Sequence, residues 1–165
     1  MDIAIVWNVR EARGDWPIVS SDLGLDNPLR SAVMVSLFTD RVAPVQPTAN
    51  DVAAGVQSPT GAPGTVDADP RGWWGDGFSD IPIGSRLWQL KRAIKVGTRA
   101  VPREIEAICT EALQWLVTDG VAQKVAVSAW WSATVPNMAE FTVTITEPGG
   151  SSQQFTFSWA WEGLT

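Results

Sequence analysis

Across three runs near its C-terminal end the chain alternates apolar and polar residues with a period of two, and no other feature constrains its fold as strongly. Val125, Val127, Ala129 and Trp131 share one face of the first run. Phe141, Val143 and Ile145 share one face of the second, and Phe155, Phe157, Trp159 and Trp161 one face of the third. Ser128, Thr142, Thr144, Thr146, Thr156 and Ser158 fall on the opposite faces, and Pro148, Gly149 and Gly150 supply a turn between the second and third runs. Such a pattern suits an antiparallel meander with one face on a core and the other toward water. The expected class is therefore α+β: a C-terminal three-stranded antiparallel sheet with two to three helices packed on its apolar face.

The helices that would cover that face have their own signals. Pro102 opens a stretch in which Ile105, Ile108, Cys109, Ala112, Leu113 and Leu116 recur at helical spacing, and Asp119-Gly120 closes it. Ser85 is placed to cap a helix over Arg86 to Lys95, with Leu87, Leu90 and Ile94 on one side and Arg86, Lys91, Arg92 and Lys95 as its cations. Asn27-Pro28 reads as a helix start before Leu29, Ala32, Val33, Ser36 and Leu37, although Val33 to Phe38 is apolar enough for a buried strand. Ile3, Ile5 and Trp7, followed by Trp16 to Val19, predict an N-terminal hairpin. Residues 44 to 70 hold five prolines and three glycines and no Lys, Arg, Leu, Ile or aromatic residue, so they are expected to form a long loop inserted in a single domain spanning 1–165.

Composition excludes several classes of function. A net charge of -6 disfavours nucleic acid or an anionic membrane as a partner, and no apolar run is long enough to span a bilayer. Histidine and tyrosine are absent and Cys109 is the only cysteine, so zinc sites, disulfides and His-assisted nucleophiles cannot be assembled within the chain. Cys109 lies on the apolar helix stripe and reads as core. Ten tryptophans, by contrast, offer large apolar areas with polar tips, the kind of residue that interfaces enrich.

Tryptophans and glycines concentrate in RGWWGDGFSDIPIGSRLWQLKR, from Arg71 to Arg92. This block resembles the signature of the baseplate wedge family of Mu-like contractile-tailed phages, in which RGWWGD precedes a GSRLW helix start. LRSAVMVSLFTDR, from Leu29 to Arg41, and EALQWLVTDGVAQKVAV, from Glu111 to Val127, resemble the family's early and last helices in the same order. The resemblance implies a structural protein without cofactors, located in the tail baseplate and assembled in the host cytoplasm. It implies several copies around the tail axis, with larger wedge proteins, the sheath protein and tube or hub proteins as partners. It also implies that sheath assembly starts when a sheath subunit adds a strand to the wedge protein's sheet, and Gln153 to Trp161 is a candidate edge strand for that.

The candidate interface residues are Arg71, Trp73, Trp74, Asp76, Arg86, Trp88, Trp130, Phe155, Phe157, Trp159 and Trp161. Each has a plainer reading. One of Trp73 and Trp74 can pack inward while the other lies on the surface, and Arg71 can pair with Asp76 across the turn. Arg86 and its neighbouring cations can form a solvated helix face, and Trp130, forced opposite Trp131, can be a half-covered surface residue. Two other functions are carried as alternatives: a carbohydrate-binding module that stacks sugars on tryptophan, and a cell-wall glycan hydrolase, since a T-even relative of the wedge family was once called a tail lysozyme. Hydrolysis needs paired carboxylates across a cleft. Glu104 and Glu111 instead fall on the polar part of the last helix, where ordinary solvation is expected.

Overall fold

The computed structural model describes residues 2–3, 6–8, 13–19, 22–23, 25–26, 28–44, 46–54, 71–73, 76, 78, 81–90, 98–135 and 138–160. In chain order these form β1 (Asp2–Ile3), β2 (Val6–Asn8), β3 (Arg13–Asp15), β4 (Ile18–Val19), β5 (Asp22–Leu23), β6 (Leu25–Asp26), α1 (Pro28–Phe38), α2 (Ala49–Ala54), α3 (Leu87–Leu90), α4 (Ala100–Thr118), β7 (Lys124–Trp131), β8 (Met138–Thr146) and β9 (Ser152–Ala160). The class is α+β, as the alternating pattern predicts.

β7, β8 and β9 form the antiparallel sheet, in that order, with Phe141 opposite Ala129 on one side and Phe157 on the other. Ala139, Phe141, Val143 and Ile145 of the central strand are completely buried, whereas the inward residues of β7 and β9 are partly covered. α4 lies over β7 and β8, and its predicted stripe, Ile105, Ile108, Cys109, Ala112, Leu113 and Leu116, is buried to the last residue. Burial pushes the Cys109 thiol pKa upward, which suits a core residue. The C-terminal end of α1 covers the other side of the sheet, where Phe38 meets Phe157 edge-on at 5.4 Å and Phe157 meets Phe141 at 5.3 Å. The outer face is a polar ladder, with the hydroxyls of Thr142 and Thr156 3.1 Å apart and those of Thr146 and Ser152 3.2 Å apart.

α4 ends where its sequence says it should. Gly120 turns the chain at a φ of 73°, which favours glycine, and the Ala122 amide donates back to the Leu116 carbonyl at 2.9 Å. α1 settles the helix-or-strand ambiguity as a helix. Its turns bury Leu29, Val33 and Leu37 against α4, and the Trp115 indole donates to Ser36 Oγ at 2.9 Å.

Two expectations need correction. The N-terminal strands do not form one hairpin: β2 pairs with β3 and β4 with β5, while β1 reaches β6. Alternation specifies a strand but not its partner, and the short connections from Asn8 to Arg13 and from Val19 to Asp22 close local pairs at least entropic cost. Nor is 44–70 loop throughout, since residues 49–54 are helical. Thr48 and Asp51 form a capping box there: the Asp51 amide donates to Thr48 Oγ1 at 3.1 Å and the Thr48 amide to Asp51 Oδ2 at 2.8 Å. Residues 55–70 lie outside the described residues.

With Phe141 at the centre of sheet, α4 and α1, Phe141→Ala is expected to cost about 3–5 kcal/mol of stability. Urea unfolding followed by tryptophan fluorescence measures it, and Thr142→Ala on the polar face should shift the midpoint far less.

Candidate functional site

The Trp-rich block acts first on its own chain. Gly84 has a φ of 102°, and a Cβ at this position would sit 2.3 Å from the Thr39 carbonyl oxygen. Only glycine allows the approach that follows. The Ser85 amide donates to Thr39 O at 2.8 Å, the Arg41 amide to Ser85 O at 3.0 Å, and Ser85 Oγ to Leu37 O at 2.5 Å. Ser85 Oγ also accepts the Leu87 amide at 3.2 Å, so the expected cap is present. The start of α3 is thereby locked to the end of α1, with Asp40 and Ser85 as a parallel bridge. The described part of the helix expected over Arg86 to Lys95 is Leu87–Leu90, all of it buried; Lys91, Arg92 and Lys95 lie outside the described residues.

Several predicted interface residues belong to this lock. Trp88 is 6% exposed and donates its indole N–H to the Arg41 carbonyl at 2.8 Å, so it is an anchor inside the chain rather than on its surface. Arg71 pairs with Asp40 at 2.5 Å, not with Asp76, and its guanidinium lies 5.2 Å from the centre of the Trp88 ring. Asp76 instead organises the turn: it accepts the Trp73 amide at 3.3 Å and the Ile83 amide at 3.0 Å. Trp73 remains 40% exposed, and Trp74 lies outside the described residues.

Arg86 overturns its expected solvation most fully. It is 7% exposed and donates Nη1 to Asp51 Oδ1 at 2.9 Å and Nη2 to Glu111 Oε2 at 3.1 Å, with Glu104 Oε1 3.9 Å away. Arg41 adds a second cation 3.6 Å from Glu111. Burial works against the charge of Arg86, but Asp51 and Glu111 outweigh it and raise its pKa. Burial likewise pushes Asp51 upward, and the Thr48 amide, Glu104, the Thr48 hydroxyl and Arg86 together outweigh it, leaving Asp51 below the usual carboxylate range. Glu104 goes the other way. It is 1% exposed, its Oε2 has no hydrogen-bond partner among the described residues, and burial followed by the hydrogen bond to Asp51 pushes its pKa to about 7. The protonated acid can donate to Asp51, which the ionised form cannot. Glu104 is thus no solvated helix residue, and the Asp51–Glu104 pair is spent on fastening α2 to α4 rather than set across a cleft. Sequence reading missed Asp51 and placed Glu104 among solvated residues; the Thr48-x-x-Asp51 capping box was the one local sign of Asp51.

On the sheet, Trp130 is 40% exposed on the polar face and donates Nε1 to Glu140 Oε2 at 3.0 Å, its directly opposite neighbour. Phe155 and Phe157 face inward and pack against the core, so only their backbone lies along the edge. Trp159 pairs with Ala139 in β9, its side chain lying outside the described residues, as does the whole of Trp161. A groove of about 760 Å³ runs between α1, α4 and residues 81–84, with Val35, Ile81 and Ile83 exposed along it.

All three sequence blocks therefore meet at one junction: α1 with its Thr39-Asp40-Arg41 ending, the Arg71–Trp88 segment, and α4 through Glu111 and Trp115. The profile of the phage protein GP46 family matches residues 29–152, the span that contains this junction. The chain belongs to the GP46 family. Among GP46 relatives, the baseplate protein gp46 of Escherichia phage Mu is 34% identical over 166 residues, covering 99% of each chain. The Mu-like prophage FluMu protein gp46 of Haemophilus influenzae strain Rd is 32% identical over 161 residues, covering 97% of each. The Mu-like baseplate family expected from the Trp-rich block is thus the one to which the chain belongs.

Glu104 fixes a sign for pH dependence. Its folded pKa of about 7 lies above the ordinary glutamate value of 4.5, so its contribution to stability is complete below 4.5 and lost as pH rises through 7. Asp51, with a lowered pKa, contributes above 3.8 and loses that contribution on acidification. Glu104→Gln should therefore remove the loss on the alkaline side: the Tm of the variant, measured relative to the unsubstituted chain, is expected to rise steadily from pH 4.5 to pH 7. A constant difference across that range would contradict the assignment.

Proposed function

We propose that this GP46 protein is a structural subunit of a contractile-tail baseplate wedge that starts the sheath by accepting a strand from a sheath subunit on β9. The observation that carries this is the edge itself. Among the described residues β9 pairs with β8 alone, and its sequence SQQFTFSWA holds no charge, proline or glycine. Natural sheets usually blunt such an edge. The Glu147 amide bonds to the Ser151 carbonyl at 2.8 Å, which sets the odd-numbered residues of β9 toward β8 and leaves the main-chain groups of Gln154, Thr156 and Ser158 facing outward. An incoming strand would gain affinity from those groups and register from alternating side chains.

Larger wedge proteins, with tube or hub proteins nearer the axis, are the other proposed partners, met through Trp73, Trp74 and Trp130. The protein acts in several copies around the tail axis, in the baseplate, after assembly in the host cytoplasm. Its names among relatives supply the baseplate setting, and its junction of buried ions and indoles supplies the rigidity such a part requires.

Thr156→Pro deletes an outward amide without touching the bonds to β8. Tails assembled with it should lack sheath by electron microscopy, although the purified variant keeps its circular dichroism; normally sheathed tails would sink the strand-addition reading. Trp73→Ala combined with Trp74→Ala is expected instead to reduce the wedge proteins that co-purify with the tagged chain, and unchanged recovery would remove those tryptophans from the interface.

A further inference from the structure

The sheet has a second edge, and it is treated differently. The Ser132 amide donates to the Met138 carbonyl at 2.8 Å, so even-numbered residues of β7 face β8, and the main-chain groups of Val125, Val127 and Ala129 face away from it. At Ala129 that outward amide is taken: it donates to Glu106 Oε1 of α4 at 2.9 Å. An incoming strand would have to place a carbonyl oxygen where a carboxylate already stands, and the two would repel. Beside it, the Trp131 indole donates to the Thr98 carbonyl at 2.8 Å. Arg99 and Arg103 are exposed around the same hollow, of about 360 Å³, which Glu106, Ala129 and Trp130 also line. A carboxylate on one backbone amide and two cations alongside are the kind of device that keeps an edge from pairing.

We infer that Glu106 is an edge guard: it closes β7 to strand addition, so that the sheet can grow from β9 only. This rests on β9 being an accepting edge. The physical need is self-complementarity. β7 and β9 lie on opposite sides of one sheet, so a copy with both edges open would offer β7 to the β9 of the next copy. That contact is heterologous, so it continues past two copies into rings or filaments. Pairing of β9 with β9, by contrast, is isologous and stops at two copies. Guarding β7 thus removes the open-ended assembly while leaving β9 for a different partner. Glu106 is a specificity residue in this sense, acting by exclusion rather than by contact.

Sedimentation velocity of the purified chain over a concentration series tests it. Glu106→Ala is expected to populate species beyond the dimer that grow with concentration, while the unsubstituted chain does not pass the dimer. Adding Thr156→Pro, which removes an acceptor-edge amide on β9, should return the variant to the unsubstituted behaviour. Hydrogen exchange at the Ala129 amide should be faster in dilute Glu106→Ala, with the rest of β7 unchanged. Glu106→Met keeps the bulk without the acceptor and makes the same comparison if the alanine variant is unstable. The inference is overturned if a natively folded Glu106 variant sediments like the unsubstituted chain, or if its oligomers persist with Thr156→Pro. Because the readout is self-association of the pure chain, its failure is distinct from failure of Thr156→Pro to block sheath in assembled tails.

Discussion

A guanidinium taken out of water governs how the helical half of this protein is built. Arg86 is nearly inaccessible, and the cost of desolvating it is offset only because carboxylates from α2 and α4 converge on it. Removing it would strand Asp51, Glu104 and Glu111 beside one another, so the ion cluster is held as a unit or not at all. The positions of α2, α3 and α4 are tied together through that one side chain. Glu104, with its pKa raised to about 7, limits the buried negative charge that Arg86 has to balance.

That dependence explains what could be read from the sequence and what could not. The three strands, their inward and outward faces and the stripe of α4 follow from period, because period reports which side of an element meets the core. The lock at Gly84 was half legible: a cluster of glycines permits a close backbone approach, but nothing in it says that Thr39 is the backbone approached. Arg86 and Trp88 were misread for a common reason. Charged residues and amphipathic aromatics are usually placed by their own polarity, whereas here the Arg41 carbonyl satisfies Trp88 and Asp51 and Glu111 satisfy Arg86, and no local pattern announces partners that distant. α2 was hidden by its surroundings in a Pro- and Gly-rich stretch, although Thr48 and Asp51 spelled its start.

The sheet shows how a small protein separates stability from assembly. Its centre is completely dry at Phe141 and Val143 and supplies the packing, while its two margins differ in chemistry rather than in shape. At one margin the Ala129 amide is bonded to Glu106 of α4, and the other margin, β9, carries no charged side chain. The family profile over residues 29–152 thus covers the junction, β7 and β8, and ends at the first residue of β9.

The lock between α1 and α3 also dictates when the protein can become itself during synthesis. Ser85 reaches back 48 residues to Leu37, Trp88 reaches 47 residues to Arg41, and Trp115 reaches 79 residues to Ser36. The core-facing residues of α1 therefore meet α4 only once most of the polypeptide has left the ribosome. Contacts of such long sequence separation slow folding and concentrate it into a late step. Local pairs such as β2–β3 can close early, whereas the lock between α1 and α3 waits for residues made much later.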